Sequence, residues 1–185
     1  IYRGKYLELL SLEEENTFLR EALNIEGQEK NQLILSEVIS FNPLEPSNIL
    51  SINKGFQDGV REGQAVILTG RILVGVVKEV EKTISWISLI TSDKSRLTAT
   101  LEGSDLNAII TGSASGALRL ELIKKEAELY EGGLILSSGL GSQIPRNLLI
   151  GRISKVISEE SASFKEAIVR PFFEFSELRQ VFIVK

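Results

Sequence analysis

Two stretches of this chain bring together residue types that could act on a substrate. Ser137 to Ile153, SSGLGSQIPRNLLIGRI, opens with serines among glycines, a composition suited to cradling a phosphate or presenting a nucleophile. Ser51-Ile-Asn-Lys54 fits the Ser-x-x-Lys spacing in which a lysine activates a serine. Neither has the surroundings its chemistry needs. A phosphate loop is followed by a helix whose first amides bind the anion, whereas Pro145 and the branched run LLIGRISKVI follow here. Serine is most often activated by histidine, and the chain contains none. The Ser-x-x-Lys pair works from one helical face, but Ser51 and Lys54 lie in a strand-like run that ends at Gly55. GLGSQIP is therefore expected to be an extended hairpin connection, with Gly139 and Gly141 supplying positive φ and Pro145 leading into the next strand. Its removal is expected to leave the fold standing.

Metal chemistry would fall to carboxylates. The aspartates are Asp58, Asp93 and Asp105, none with the close spacing of a calcium loop. Glu13, Glu14 and Glu15 diverge by about 100° per step around a helix and keep it soluble. Trp86, in SWISLIT, reads as a core or inter-module packing residue. The residues thus predict no catalytic group, no metal site and no cofactor.

The elements that would position any site begin with a helix. Leu9, Leu12, Leu19 and Leu23 recur at spacings of three and four, with Asn16 in the gap. In heptad terms Leu9, Asn16 and Leu23 stand at a and Leu12 and Leu19 at d, an arrangement that favours a two-stranded, in-register homodimer. Glu15 would face Arg20 of a parallel partner, which attracts, and Glu8 would face Glu13, which repels.

After Asn31 the period changes. Twelve short runs rich in Val, Ile, Leu and Thr, from LILSEVIS to QVFIV, alternate with Gly, Asn, Asp, Ser or Pro, as in β-barrels or sandwiches. Ile49 to Leu68 lies without a gap over Leu118 to Ser137, and both copies continue to a branched-apolar-Gly step, LVGVVKEV and LIGRISKV. Gly63 to Gly75 is twelve residues and Gly132 to Gly151 nineteen, the difference falling at GLGSQIP. The expected fold is mainly β: an N-terminal coiled-coil helix (1–30) followed by two small related β-barrel domains, 31–113 and 114–185. The final strand is open to either module.

A formal charge of −4 with interspersed signs offers no basic face to a polyanion, which excludes nucleic-acid binding. No Cys is present, so disulfides and thiol chemistry are absent. The sequence starts at Ile1 and contains no Met, and no window approaches the ~18 to 20 apolar residues of a membrane span. Any anchor or signal is expected upstream.

The order of these pieces resembles the MreC family of bacterial rod-shape determinants. The likeness runs through KGFQDGVREGQAV (Lys54 to Val66), LVGVV (Leu73 to Val77), SLIT (Ser88 to Thr91), SSGLGSQIPRNLLIGRI (Ser137 to Ile153) and FKEAIVRP (Phe164 to Pro171), with EN-x-x-LR at Glu15 to Arg20 where the family has its coiled coil. Gly132-Gly133 stands where the family usually has Gly-Asp, and Ser142 and Asn147 where it has, or often has, glycine. The resemblance implies a single-pass protein of the bacterial cytoplasmic membrane, with a transmembrane helix upstream and this part on the periplasmic or extracellular side. It implies a non-catalytic scaffold of the cell-elongation machinery that maintains rod shape by organising and activating peptidoglycan synthesis. The implied partners are a second copy or a filament, the elongation-specific penicillin-binding transpeptidase, and MreD, MreB and RodA in the same machinery. The alternative is a periplasmic adaptor of an envelope efflux or secretion assembly, although no second heptad run marks the helical hairpin such adaptors carry. A degenerate hydrolase ranks third.

Overall fold

Each of the twelve branched, apolar runs forms a strand. In the computed structural model, which describes residues 33–41, 48–104, 106–113, 116–141, 143–157 and 163–185, they are β1 (Leu33–Phe41), β2 (Ile49–Ile52), β3 (Ala65–Leu68), β4 (Ile72–Val80), β5 (Ser85–Leu89), β6 (Arg96–Leu101), β7 (Ala108–Gly112), β8 (Leu118–Lys124), β9 (Leu134–Ser137), β10 (Leu149–Ile157), β11 (Phe164–Pro171) and β12 (Gln180–Val184). Single 3-10 turns stand at Phe56–Asp58 and Phe175–Glu177, and there is no α-helix among the described residues. The heptad positions Leu9, Leu12, Asn16, Leu19 and Leu23, like the whole predicted coiled coil of 1–30, lie outside the described residues.

Hydrogen bonding closes the strands into two six-membered rings within one compact unit, Leu33–Lys185. One ring runs β4-β3-β12-β1-β2-β5 and returns to β4; the other runs β10-β9-β6-β7-β8-β11 and returns to β10. Neighbours within each ring are antiparallel, and a single parallel contact, Leu149 beside Ile72, joins them. Closure removes free strand edges, which is how all-β proteins of this size avoid pairing with other chains.

The repeat found in the sequence is a repeat in space. The ring orders superimpose when β2, β3, β4 and β5 are matched with β8, β9, β10 and β11, and β12 and β1 with β6 and β7. Local bonds repeat with them: the Gly63 amide donates to the Val77 carbonyl and the Gly132 amide to the Ile153 carbonyl, both at 2.8 Å. Gly63 and Gly132 have φ of +85° and +90°, the left-handed region where glycine carries no Cβ penalty.

The strand pairing draws the division elsewhere than residue 113. β6 and β7 bond to β9 and β8, so they belong with the second ring. The Gly- and Ser-rich stretch around 113 has a linker's composition, yet it turns the β7–β8 hairpin: Gly116 donates to the Ser113 carbonyl and Ser113 to that of Ala117. The chain crosses between rings earlier, between β5 and β6, where the Gly112 backbone packs on the carbonyls of Thr91 and Ser92. The last strand returns to the first ring, between β1 and β3.

The buried side chains of both rings belong to one core cluster. Leu50, Ile52, Val66, Leu73 and Ile87 are buried in the first, and Ile110, Leu118, Leu120, Ile135 and Ile150 in the second. Trp86 does not join the core. Along β5 the buried positions are Ser85, Ile87 and Leu89, which leaves Trp86 half-buried on the outer face. The phase is set by Ser85, whose hydroxyl donates to the Lys54 carbonyl at 2.6 Å inside the ring mouth.

Candidate interaction surface

The serines of the glycine loop are spent on closing it. Ser137 is buried; its hydroxyl donates to the Pro145 carbonyl at 2.6 Å and accepts the Leu148 amide at 3.0 Å. The Ser138 hydroxyl accepts the Leu140 amide at 3.2 Å, and Thr98 on β6 donates to the Leu140 carbonyl at 2.7 Å. Gly139 and Gly141 stand at φ +72° and +69°. A Cβ at Gly139 would overlap the Arg146 side chain, whereas one at Gly141 would meet nothing within 4 Å. Asn147 stands at φ +61°, which asparagine tolerates better than most residues. Replacing Ser137 by alanine strands the Pro145 carbonyl and the Leu148 amide, and is expected to cost about 1–3 kcal/mol, read as a lower urea midpoint.

The same loop does more than turn the chain. Ile144 is 5% exposed and belongs to the core. Gln143 lies against Gly63 of the first ring, where a Cβ would come within 2.9 Å of its Oε1. Arg71, between β3 and β4, donates to the Arg146 carbonyl at 3.3 Å and accepts the Leu149 amide at 2.9 Å. Among the residues that lengthen the second copy, Gln143 therefore reaches the other ring, and deleting the segment also removes a buried isoleucine, contrary to the expectation for a plain hairpin connection.

Ser51 and Lys54 do not act together. Ser51 pairs with Trp86 in the β2–β5 ladder. Lys54 bridges Asp58 at 2.8 Å, whose other oxygen accepts the Gly55 amide at 3.1 Å. Gly59 closes this turn at φ +89°, and a Cβ at Gly55 would overlap the Glu81 carbonyl. KGFQDGVREG is thus turn architecture at the mouth of the first ring. The Lys54 hydrogen bond and the Gly55 amide hold the Asp58 carboxyl below its ordinary value of 3.8. A depressed carboxylate contributes stability that is complete above pH 3.8 and is lost as pH falls through the lower folded value. Asp58→Asn is expected to flatten that acid limb of the stability curve while leaving the neutral-to-alkaline limb parallel to wild type.

No metal-binding cluster of three or more carboxylates occurs among the described residues. What this surface offers chemically is apolar contact. On β1 the inward parity is Ile34, Ser36 and Val38, with Ile34 and Val38 packed on the core and Ser36 buried with its hydroxyl on Asn53 Oδ1 at 3.0 Å, while the outward Leu33, Leu35 and Ile39 are 49%, 49% and 55% exposed. Phe182 stands opposite Leu35, extending the stripe onto β12. The signal was present in LILSEVIS, which is apolar in both parities although one face of a ring strand needs only one. Leu140, at the tip of the glycine loop, is a further exposed apolar side chain.

Comparison with known proteins accounts for these pieces together. The family described as rod shape-determining protein MreC, barrel core, matches residues 38–185. The cell shape-determining protein MreC of Listeria monocytogenes is 31% identical over 185 residues, covering 96% of this chain, and the chain spans 62% of that relative's length. A solved structure of MreC from Listeria monocytogenes superimposes with a TM-score of 0.87 at 29% identity, over 97% of this chain and 88% of that one. The fold is shared too with a structure of the complex between penicillin-binding protein PBP2 and MreC from Helicobacter pylori, at a TM-score of 0.67 and 18% identity, over 84% of this chain and 98% of that one. The chain belongs to the family of the rod shape-determining protein MreC, and residues 38–185 are that family's barrel core.

Proposed function

We propose that this chain is the extracytoplasmic part of a non-catalytic scaffold that maintains rod shape by holding a peptidoglycan transpeptidase of the elongation machinery in its working arrangement. The observation that carries this reading is the match of the barrel core over residues 38–185. The Helicobacter structure, a complex between a penicillin-binding protein and MreC, supports the choice of partner. The fate of the serines agrees with it, because Ser137 and Ser138 serve backbone groups.

In this reading each ring is one of the two β modules, the heptad positions Leu9, Leu12, Asn16, Leu19 and Leu23 pair two copies, and a membrane helix precedes residue 1. MreD, MreB and RodA belong to the same machinery. The test is direct binding of the purified chain to the purified extracellular part of the elongation transpeptidase from the same bacterium, followed by interferometry. Saturable binding with a Kd of about 10 µM or tighter is expected, and no saturation up to about 100 µM would overturn the proposal. In the same preparation Leu12→Asp with Leu19→Asp is expected to turn a sedimenting dimer into a monomer; an unchanged dimer would reject the stalk.

A further inference from the structure

On the second ring, Arg152 of β10 and Arg170 of β11 stand directly opposite each other across the strand pair. Opposed partners share a face of the sheet, and like charges so placed destabilise it. Both arginines are exposed and line one cleft of about 930 Å³. Its apolar wall comes from the segment after β11: Phe173 is buried and meets Phe175 edge to face at 6.0 Å and 83°. Arg152 is held in place, its guanidinium 6.0 Å above the Phe172 ring and one nitrogen donating to the Gly132 carbonyl at 3.3 Å. The Arg170 side chain makes no ion pair or hydrogen bond, and Glu174, the carboxylate in the cleft wall, pairs with neither arginine, among the described residues.

We infer that this cleft is a docking site for an extended segment of a partner protein that carries an aspartate or glutamate beside an aromatic or branched apolar side chain. A carboxylate between the two guanidinium groups offsets their repulsion and suits their fork geometry. The apolar neighbour packs on Phe172 and Phe175, the half-buried members of the wall, whose remaining exposure a bare ion would not cover. A sugar is a poorer occupant: Phe172 already has Arg152 over its face, and Phe173 and Phe175 pack edge to face, so no open ring is left to stack on. The volume lies in the range of clefts that take a ligand, about 300–1,000 Å³. Recognition proceeds through side chains, since β10 and β11 each have a strand on both sides and no edge remains for strand addition. The inference concerns the chemistry of the segment and stands whether or not the partner is the transpeptidase.

The test is selection of random linear dodecapeptides by display on the whole chain, with counter-selection on Arg152→Ala/Arg170→Ala. Enriched peptides are expected to carry Asp or Glu within two positions of Phe, Tyr, Leu or Ile. Their affinity is expected to fall about tenfold or more on Arg170→Ala, or when the acid becomes its amide, and to weaken with salt. Enrichment without acidic residues, binders that survive the double substitution, or no enrichment over the counter-selected chain would overturn it. A second readout needs no ligand. Arg170→Gln is expected to leave the thermal midpoint unchanged or raise it, with any gain vanishing in high salt; a fall of several degrees would show the arginine to be structural and the cleft to be misread.

Discussion

Replacing Gly151 by valine is expected to unfold the second ring. Gly151 sits in β10 opposite Pro171 of β11, at the irregular step of the β9–β10 ladder, and is buried. A Cβ there would overlap the Arg170 carbonyl oxygen and lie 2.8 Å from Val169 Cγ1. The facing strand can yield only by breaking its own ladder, since β11 is also bonded to β8. Overpacking of this kind costs about 3 kcal/mol or more where backbone is the obstacle, a large share of the 5–15 kcal/mol that holds a typical domain. Gly75 is the matching residue of the first ring, with Ser88 O and Ile87 Cγ2 where Gly151 has Arg170 O and Val169 Cγ1. Its valine variant should fail in the same way. Gly70→Asn is the control: φ is +80° there with nothing within 4 Å, and a change of no more than about 0.5 kcal/mol is expected. Urea unfolding of the three variants, with hydrogen exchange to show which ring opens, checks the prediction.

Deleting Gln180 to Lys185 is expected to be as damaging, although it removes only one short strand and the residue after it. β12 fills the gap between β1 and β3, and its Val181, Ile183 and Val184 are buried. At about 1.5–3 kcal/mol for each buried branched side chain, the loss approaches the whole stability of a small domain. It also leaves β1 and β3 as open edges, beside the outward leucines of β1. The truncated chain is expected to aggregate or to lose protection throughout the first ring while β6 to β11 keep theirs. Retention of native protection in β1 to β5 would contradict the closure described here.

Strand existence was legible in the sequence because each ring strand needs a branched, apolar inner face and the turns between them carry Gly, Asn, Asp or Ser. The repeat was legible as well, since Gly63 and Gly132 meet the same backbone demand, and Gly75 and Gly151 the same lack of space. Pairing was not. A strand's sequence records its burial and not its neighbour, so β6 and β7 read as a continuation of what precedes them, and the serine-rich turn at 113 read as a boundary. The glycine loop's contact with the other ring was not legible, because it depends on Gln143 lying against Gly63. The arginine pair was invisible for a similar reason: Arg152 and Arg170 are neighbours only because β10 and β11 bond in one register. Trp86 misled because size suggested the core, whereas the phase of β5 is set by a small serine.

The interleaved closure of the rings also orders events in time. Every strand of the second ring lies between Arg96 and Pro171, so that ring can complete itself once this stretch has been synthesised. The first ring begins earlier but cannot close until Val184 has emerged, because Leu33 pairs with it across nearly the whole length of the chain. Such long-range pairing is slow, since loop closure must precede the contacts that reward it. In the interval the older half of the molecule waits with two open strand edges while the younger half is already folded. That interval is when the nascent chain is most exposed to proteases, to holding chaperones and to other copies of itself.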